Sequence, residues 1–94
     1  MVAMTVVVKN AAGLHLKPAA SFCKEAVKYK SLVTFTCGLT TANAKSVLSV
    51  LGACVRAGDE IEIVCDGPDE EEALEAMVRA VESGLGEEPE APEA

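Results

Sequence analysis

No two cysteines of this sequence form a C-x-x-C pair, and its first 58 residues contain one acid and its whole length one histidine. Each scarcity excludes something. Cys23, Cys37, Cys54 and Cys65 are separated by 14, 17 and 11 positions, which argues against a zinc site. Without an export signal the same spacing argues against a disulfide framework, so a reduced, cytoplasmic protein with four buried or semi-buried thiols is expected. Cys54, close to Gly52 at an expected helix end, is the first choice for an exposed thiol. The apolar start, Met1 to Val8, is short, has no basic leader and runs into Lys9; it reads as a strand, not a signal peptide. A membrane span needs ~20 apolar residues in a row, and no such stretch exists. With 94 residues the chain can hold one core and not a second, so no cleft between two domains is expected. The expected division is a domain over residues 1–86 and an acidic, Pro-containing, disordered tail over 87–94.

What is present is half apolar, enough for a folded domain despite a net charge of −7. The charge is polarised. Residues 1–58 carry Lys9, Lys17, Lys24, Lys28, Lys30, Lys45 and Arg56 against Glu25, a balance of +6, while the remainder carries fourteen acids against Arg79, a balance of −13. A basic pole and an acidic pole suit steering of charged partners, and the acidic total argues against nucleic-acid binding.

The β-branched run Thr5 to Val8 predicts a strand, followed by a turn at Asn10-Ala11-Ala12-Gly13. From Pro18 the apolar positions Ala19, Phe22, Cys23, Ala26 and Val27 recur at three and four, predicting an amphipathic helix whose first turn accommodates the proline. Leu32 to Cys37 alternates and is followed past Gly38 by a short segment around Leu39 to Ala42, a hairpin. Ser46 to Leu51 predicts a short helix with Asn43 as candidate cap and Gly52 as its exit. Glu60 to Cys65 alternates with Ile61, Ile63 and Cys65 on one face. Ala73, Leu74, Met77, Val78, Val81 and Leu85 predict a last helix ending at Gly84 or Gly86, with Asp69 to Glu72 at its positive end. The order β-α-β-β-α-β-α implies an α+β fold: a four-stranded antiparallel sheet with three helices on one face.

His15 stands where a glycine-containing loop becomes a Pro-started helix, in Gly13-Leu14-His15-Leu16-Lys17-Pro18-Ala19-Ala20. A lone histidine is more often structural or merely exposed. Here, however, the unpaired N–H groups of the first helical turn, those of Leu16 and Lys17, favour an anion attached to the ring. The same dipole favours a neutral, nucleophilic imidazole, and Lys17 adds a counter-charge for phosphate oxygens. No general-base carboxylate or metal cluster lies nearby in sequence, so hydrolysis or metal chemistry would need a partner to organise it.

This segment resembles the active-site signature of the HPr family, the histidine phosphocarriers of the bacterial phosphoenolpyruvate-dependent sugar phosphotransferase system, G-[IL]-H-x-R-P-[AS]. Asn43-Ala44-Lys45-Ser46-Val47-Leu48-Ser49-Val50-Leu51 is similar to that family's regulatory-serine segment, N-x-K-S-[IV]-[ML]-G-[VL]-[ML], and the likeness runs over residues ~2 to 86. The resemblance implies an open-faced β-sandwich. It also implies that His15 accepts a phosphoryl group from enzyme I and passes it to an enzyme IIA domain, as a stoichiometric carrier without a cofactor or metal of its own. By the same resemblance, magnesium and phosphoenolpyruvate belong to enzyme I. Lys17 stands where the family has Arg, which keeps the charge and loses the planar fork. Ser46 falls at the position that a dedicated HPr kinase/phosphorylase modifies in some members, signalling to a catabolite regulator; its plainer reading is a helix cap.

Ser49 and Cys54 replace residues that are commonly glycine in the family. The expected docking surface combines Leu16, Ala20, Lys24, Lys45, Val47, Leu48 and Leu51, with Val47 the best candidate for exposure in the short helix. A monomer is expected, without membrane insertion. Two rivals stand beside this reading: a regulatory relative acting in catabolite or nitrogen control through Ser46 or docking, and a cysteine-based metal-binding module.

Overall fold

The computed structural model describes residues 1–9 and 13–85; the expected turn at Asn10-Ala11-Ala12 and the expected tail lie outside them. Seven elements follow in chain order: β1 (Val2–Val7), α1 (Leu16–Ala26), β2 (Leu32–Cys37), β3 (Thr40–Asn43), α2 (Val47–Gly52), β4 (Glu60–Asp66) and α3 (Glu70–Glu82). The four strands form one antiparallel sheet in the order β1-β4-β2-β3. No helix among the described residues is long and apolar enough to cross a membrane.

The alternation in β4 becomes the centre of the sheet. Ile61 pairs with Val6, Ile63 with both Met4 and Phe35, and Cys65 with both Val2 and Val33. Ile61, Ile63, Cys65, Val33 and Phe35 are fully buried under the helices. From α1 the core receives Pro18, Ala19, Phe22 and Ala26, and from α3 Ala73, Met77 and Val81, as the three-and-four spacing requires. Phe22 meets Phe35 edge to face, with ring centroids 5.3 Å apart and planes at 88°, a pairing worth ~0.5–1.5 kcal/mol beyond area burial. The side chains that alternate with this core set, among them Thr5, Glu60, Glu62 and Thr41, lie on the uncovered face.

Helix ends show where local sequence misleads. Asn43 does not cap α2: its Oδ1 accepts from the Lys45 N–H at 2.9 Å and shapes the preceding turn. Ser46 is the cap, its Oγ accepting the Ser49 N–H at 3.3 Å. At the other end α2 runs through Gly52, and the residue that turns left-handed is Cys54, at φ +54. Helix α3 closes with the Gly84 N–H on Val81 O and the Leu85 N–H on Ala80 O, at 3.1 and 3.0 Å, the Schellman pattern. Gly84 takes φ +92 there, and Leu85 is tucked back into the core.

The four thiols are free and unlike one another: Cys65 is buried, Cys23 and Cys37 are half-buried, and Cys54 is exposed. That corrects the expectation of four sheltered thiols, and the exposed one is Cys54, the residue expected first, which stands past the end of α2 at φ +54. Burial pushes the Cys65 and Cys37 thiols up from their ordinary range.

A second polar device ties β2 to α3. Ser31, 1% exposed, donates its hydroxyl to Asp69 Oδ1 at 2.6 Å, and the backbone N–H groups of Ser31 and Lys30 reach the same carboxylate at 2.9 and 3.0 Å. The Ser31 hydroxyl and these amides hold Asp69 below the usual carboxylate range. Such a group is protonated more readily in the unfolded chain, so its stabilisation is complete above the ordinary carboxylate range and is lost as pH falls through the depressed value. In acid-unfolding curves Asp69→Asn should therefore lower stability at neutral pH and flatten the loss on acidification. A wild-type slope in the variant would show that the clamp is not titrating.

Candidate functional site

Helix α1 begins at Leu16 because His15 is its N-cap, with extended backbone at φ −89 and ψ −166. The His15 carbonyl accepts the Ala19 N–H at 2.7 Å, while the imidazole makes no capping hydrogen bond and lies exposed. The first-turn N–H groups of Leu16 and Lys17 have no acceptor among the described residues, and Pro18 has no N–H to satisfy. Leu16 is 64% exposed and Lys17 is exposed. Pro18 and Ala19 are buried and fix the helix to the core. The imidazole, two N–H donors without an acceptor among the described residues and an exposed lysine are thus carried by three consecutive residues at the positive end of an eleven-residue helix.

This point is braced from a segment far away in sequence. The Leu14 N–H donates to Val55 O at 3.0 Å, and both side chains are buried. Gly13, at φ +62, passes so close to the connector between α2 and β4 that a Cβ built on it would meet Val55 O at 2.5 Å and Arg56 Cα at 2.8 Å. The connector is itself fixed to the end of β1, with the Val8 N–H on Asp59 O and the Gly58 N–H on Val8 O at 2.9 and 2.7 Å. Sequence patterning counts Arg56 only as charge and Val55 not at all. The one signal that could have led there is Gly13, which marks a close backbone approach without naming the other side.

The remaining expected residues divide by exposure. Leu16, Ala20 and Lys24 repeat at four along the outer side of α1 and are exposed. In α2, which packs against α1, the exposed large apolar residue is Leu48 at 82%, and Val47 is half-buried. The expectation for Val47 fails because Val50, three residues on, sets the inward direction and Val47 and Leu51 lie on its side. Lys45 is half-buried and donates its Nζ to Tyr29 O at 2.7 Å. Lys28 pairs with Glu25 at 3.0 Å. Among the described residues no three His, Cys, Asp or Glu side chains converge as a metal site would require.

Comparison with known proteins gives concordant likenesses. The family model described as the PTS HPr component phosphorylation site matches residues 2–83. Phosphocarrier protein HPr of Treponema pallidum (strain Nichols) is 38% identical over 88 residues, covering 94% of this chain and 100% of that protein. HPr-like protein Crh of Bacillus subtilis (strain 168) is 35% identical over 82 residues, covering 87% of this chain and 96% of its own. Among solved structures, HPr-C-His from Thermoanaerobacter tengcongensis superposes with a TM-score of 0.89 at 38% identity, covering 94% of this chain and 99% of that one.

Proposed function

This chain belongs to the HPr family of the phosphotransferase system, and on that footing we propose that His15 accepts a phosphoryl group from enzyme I and passes it to an enzyme IIA domain. The observation that carries the reading is the exposed imidazole at the start of α1, which makes no capping hydrogen bond, with the N–H groups of Leu16 and Lys17 beside it lacking an acceptor among the described residues. In the first transfer the bond from phosphorus to the donor breaks as the bond to a ring nitrogen of His15 forms, and the donor atom keeps the electron pair. The return step to the acceptor is the same exchange with the roles reversed. Nothing is oxidised and no water enters. The carrier supplies the nucleophile, two oriented N–H donors and the Lys17 charge; the rest of each transition-state site comes from the protein docked against it. It acts stoichiometrically, as a monomer in the cytoplasm, and holds no cofactor.

Docking falls to the exposed stripe Leu16, Ala20 and Lys24 with Leu48, edged by Lys45, Val47 and Leu51. Two large apolar side chains, exposed beside Lys17 and Lys24, suit a partner with an apolar centre and an acidic rim. Incubation with enzyme I and labelled phosphoenolpyruvate should give one phosphoryl group per chain, lost in acid and kept in alkali, as a phosphoramidate requires. An acid-stable product would place the group on a hydroxyl and sink the assignment to His15.

A second reading is favoured by the Crh relatives, whose similarity covers most of the chain. In it Ser46 is phosphorylated by an HPr kinase/phosphorylase, and the product signals to a catabolite regulator. The Ser46 Oγ already points at the Ser49 N–H, so a phosphate adding about −1.5 to −2 charge meets a favourable helix start while repelling an acidic partner docked on Leu48.

A further inference from the structure

We propose that Arg56 is a phosphoryl-contacting residue of this carrier, supplying from the α2–β4 connector the planar fork that Lys17 lacks; the inference rests on the His15 reading. The backbone places it. Arg56 Cα lies 2.8 Å from where a Cβ of Gly13 would stand, and Gly13 is two residues from His15. Two residue steps span at most about 7 Å, and an extended arginine side chain reaches about as far, so His15 lies within range of the guanidinium.

Orientation and availability agree with that range. Val55 turns its side chain into the core, while Arg56, next to it, is exposed on the outer surface, as His15 is. The backbone of Arg56 is fixed by its N–H on Asp59 Oδ2 at 2.9 Å. Its guanidinium has no hydrogen-bond or ionic partner among the described residues, whereas Arg79 is paired with Glu75 and Lys28 with Glu25. An unpaired guanidinium on an anchored backbone, beside a helix start that favours an anion, is arranged to hold two phosphoryl oxygens at once. Lys17 then neutralises charge from the helix side while Arg56 fixes the orientation of the group from the connector side.

Two measurements test this. In wild-type protein the Arg56 Nε–H resonance should shift when His15 is phosphorylated, and the Arg79 resonance should stay. The equilibrium for phosphoryl transfer from enzyme I should move against the carrier by roughly tenfold in Arg56→Ala, with Arg56→Lys recovering only part of the loss because it restores charge without the fork. A stationary Arg56 resonance together with an unchanged equilibrium in Arg56→Ala would overturn the proposal while leaving the carrier reading intact. Failure of the wild type to take up label overturns both. The resonance is read on wild type, so the test does not depend on the variant folding.

Discussion

Replacing His15 by alanine should reduce uptake of label from enzyme I and phosphoenolpyruvate to background while leaving the fold unchanged. The two halves of that expectation have separate origins. The imidazole is the only one in the chain, and a phosphoramidate on a ring nitrogen has no other histidine to move to. It makes no cap hydrogen bond, so unfolding stability should move by no more than about 0.5 kcal/mol, the usual range for a surface substitution. Label retained by a folded His15→Ala protein would refute the assignment. Loss of label accompanied by unfolding would contradict the structural half.

Gly13→Ala is the second large effect, and here stability and transfer should fall together. Alanine at φ +62 costs ~1–2 kcal/mol in backbone strain. Its Cβ would stand 2.5 Å from Val55 O and 2.8 Å from Arg56 Cα. Those are backbone atoms, which cannot rotate away, so an overpacking cost of ~1–3 kcal/mol is added. Relief comes by separating the His15 loop from the connector, which breaks the Leu14–Val55 hydrogen bond and carries His15 away from Arg56. Denaturant unfolding should show a loss of roughly 2–5 kcal/mol, with slowed phosphorylation. The opposite exchange serves as control: Cys54, at φ +54, should gain about 0.5–1 kcal/mol on replacement by glycine. A neutral Gly13→Ala would mean that the close approach has room to yield.

Those two positions also mark how much of this protein its residues disclose. Period and composition suffice for α1, β4 and α3, because each buries one face and the burial leaves its spacing in the sequence. His15 at a helix start is legible for the same reason, since Pro18 and the loop glycine are local signals. The bracing of that site is not. It joins residue 14 to residue 55 through backbone atoms, which leave no mark on side-chain pattern, and the glycine that permits it looks like any turn glycine. Helix α2 is the weakest stretch to read, at six residues. Two candidate caps lie three positions apart, and one apolar residue, Val50, decides which neighbours face inward. Gly52 looks like the stop, yet the left-handed residue is a cysteine. The Ser31–Asp69 clamp is equally silent, with both partners ordinary turn residues 38 positions apart.

The strand order β1-β4-β2-β3 has a consequence for how the chain is made. Its first strand touches only the last, so β1 leaves the ribosome with no edge to join until residue 66 has emerged, whereas β2 and β3 can pair as soon as their hairpin is out. The connector that braces His15 is synthesised immediately before β4. Ordering of the His15 loop and closure of the sheet therefore belong to the same late stage of synthesis, and a nascent chain that stops short of β4 lacks both.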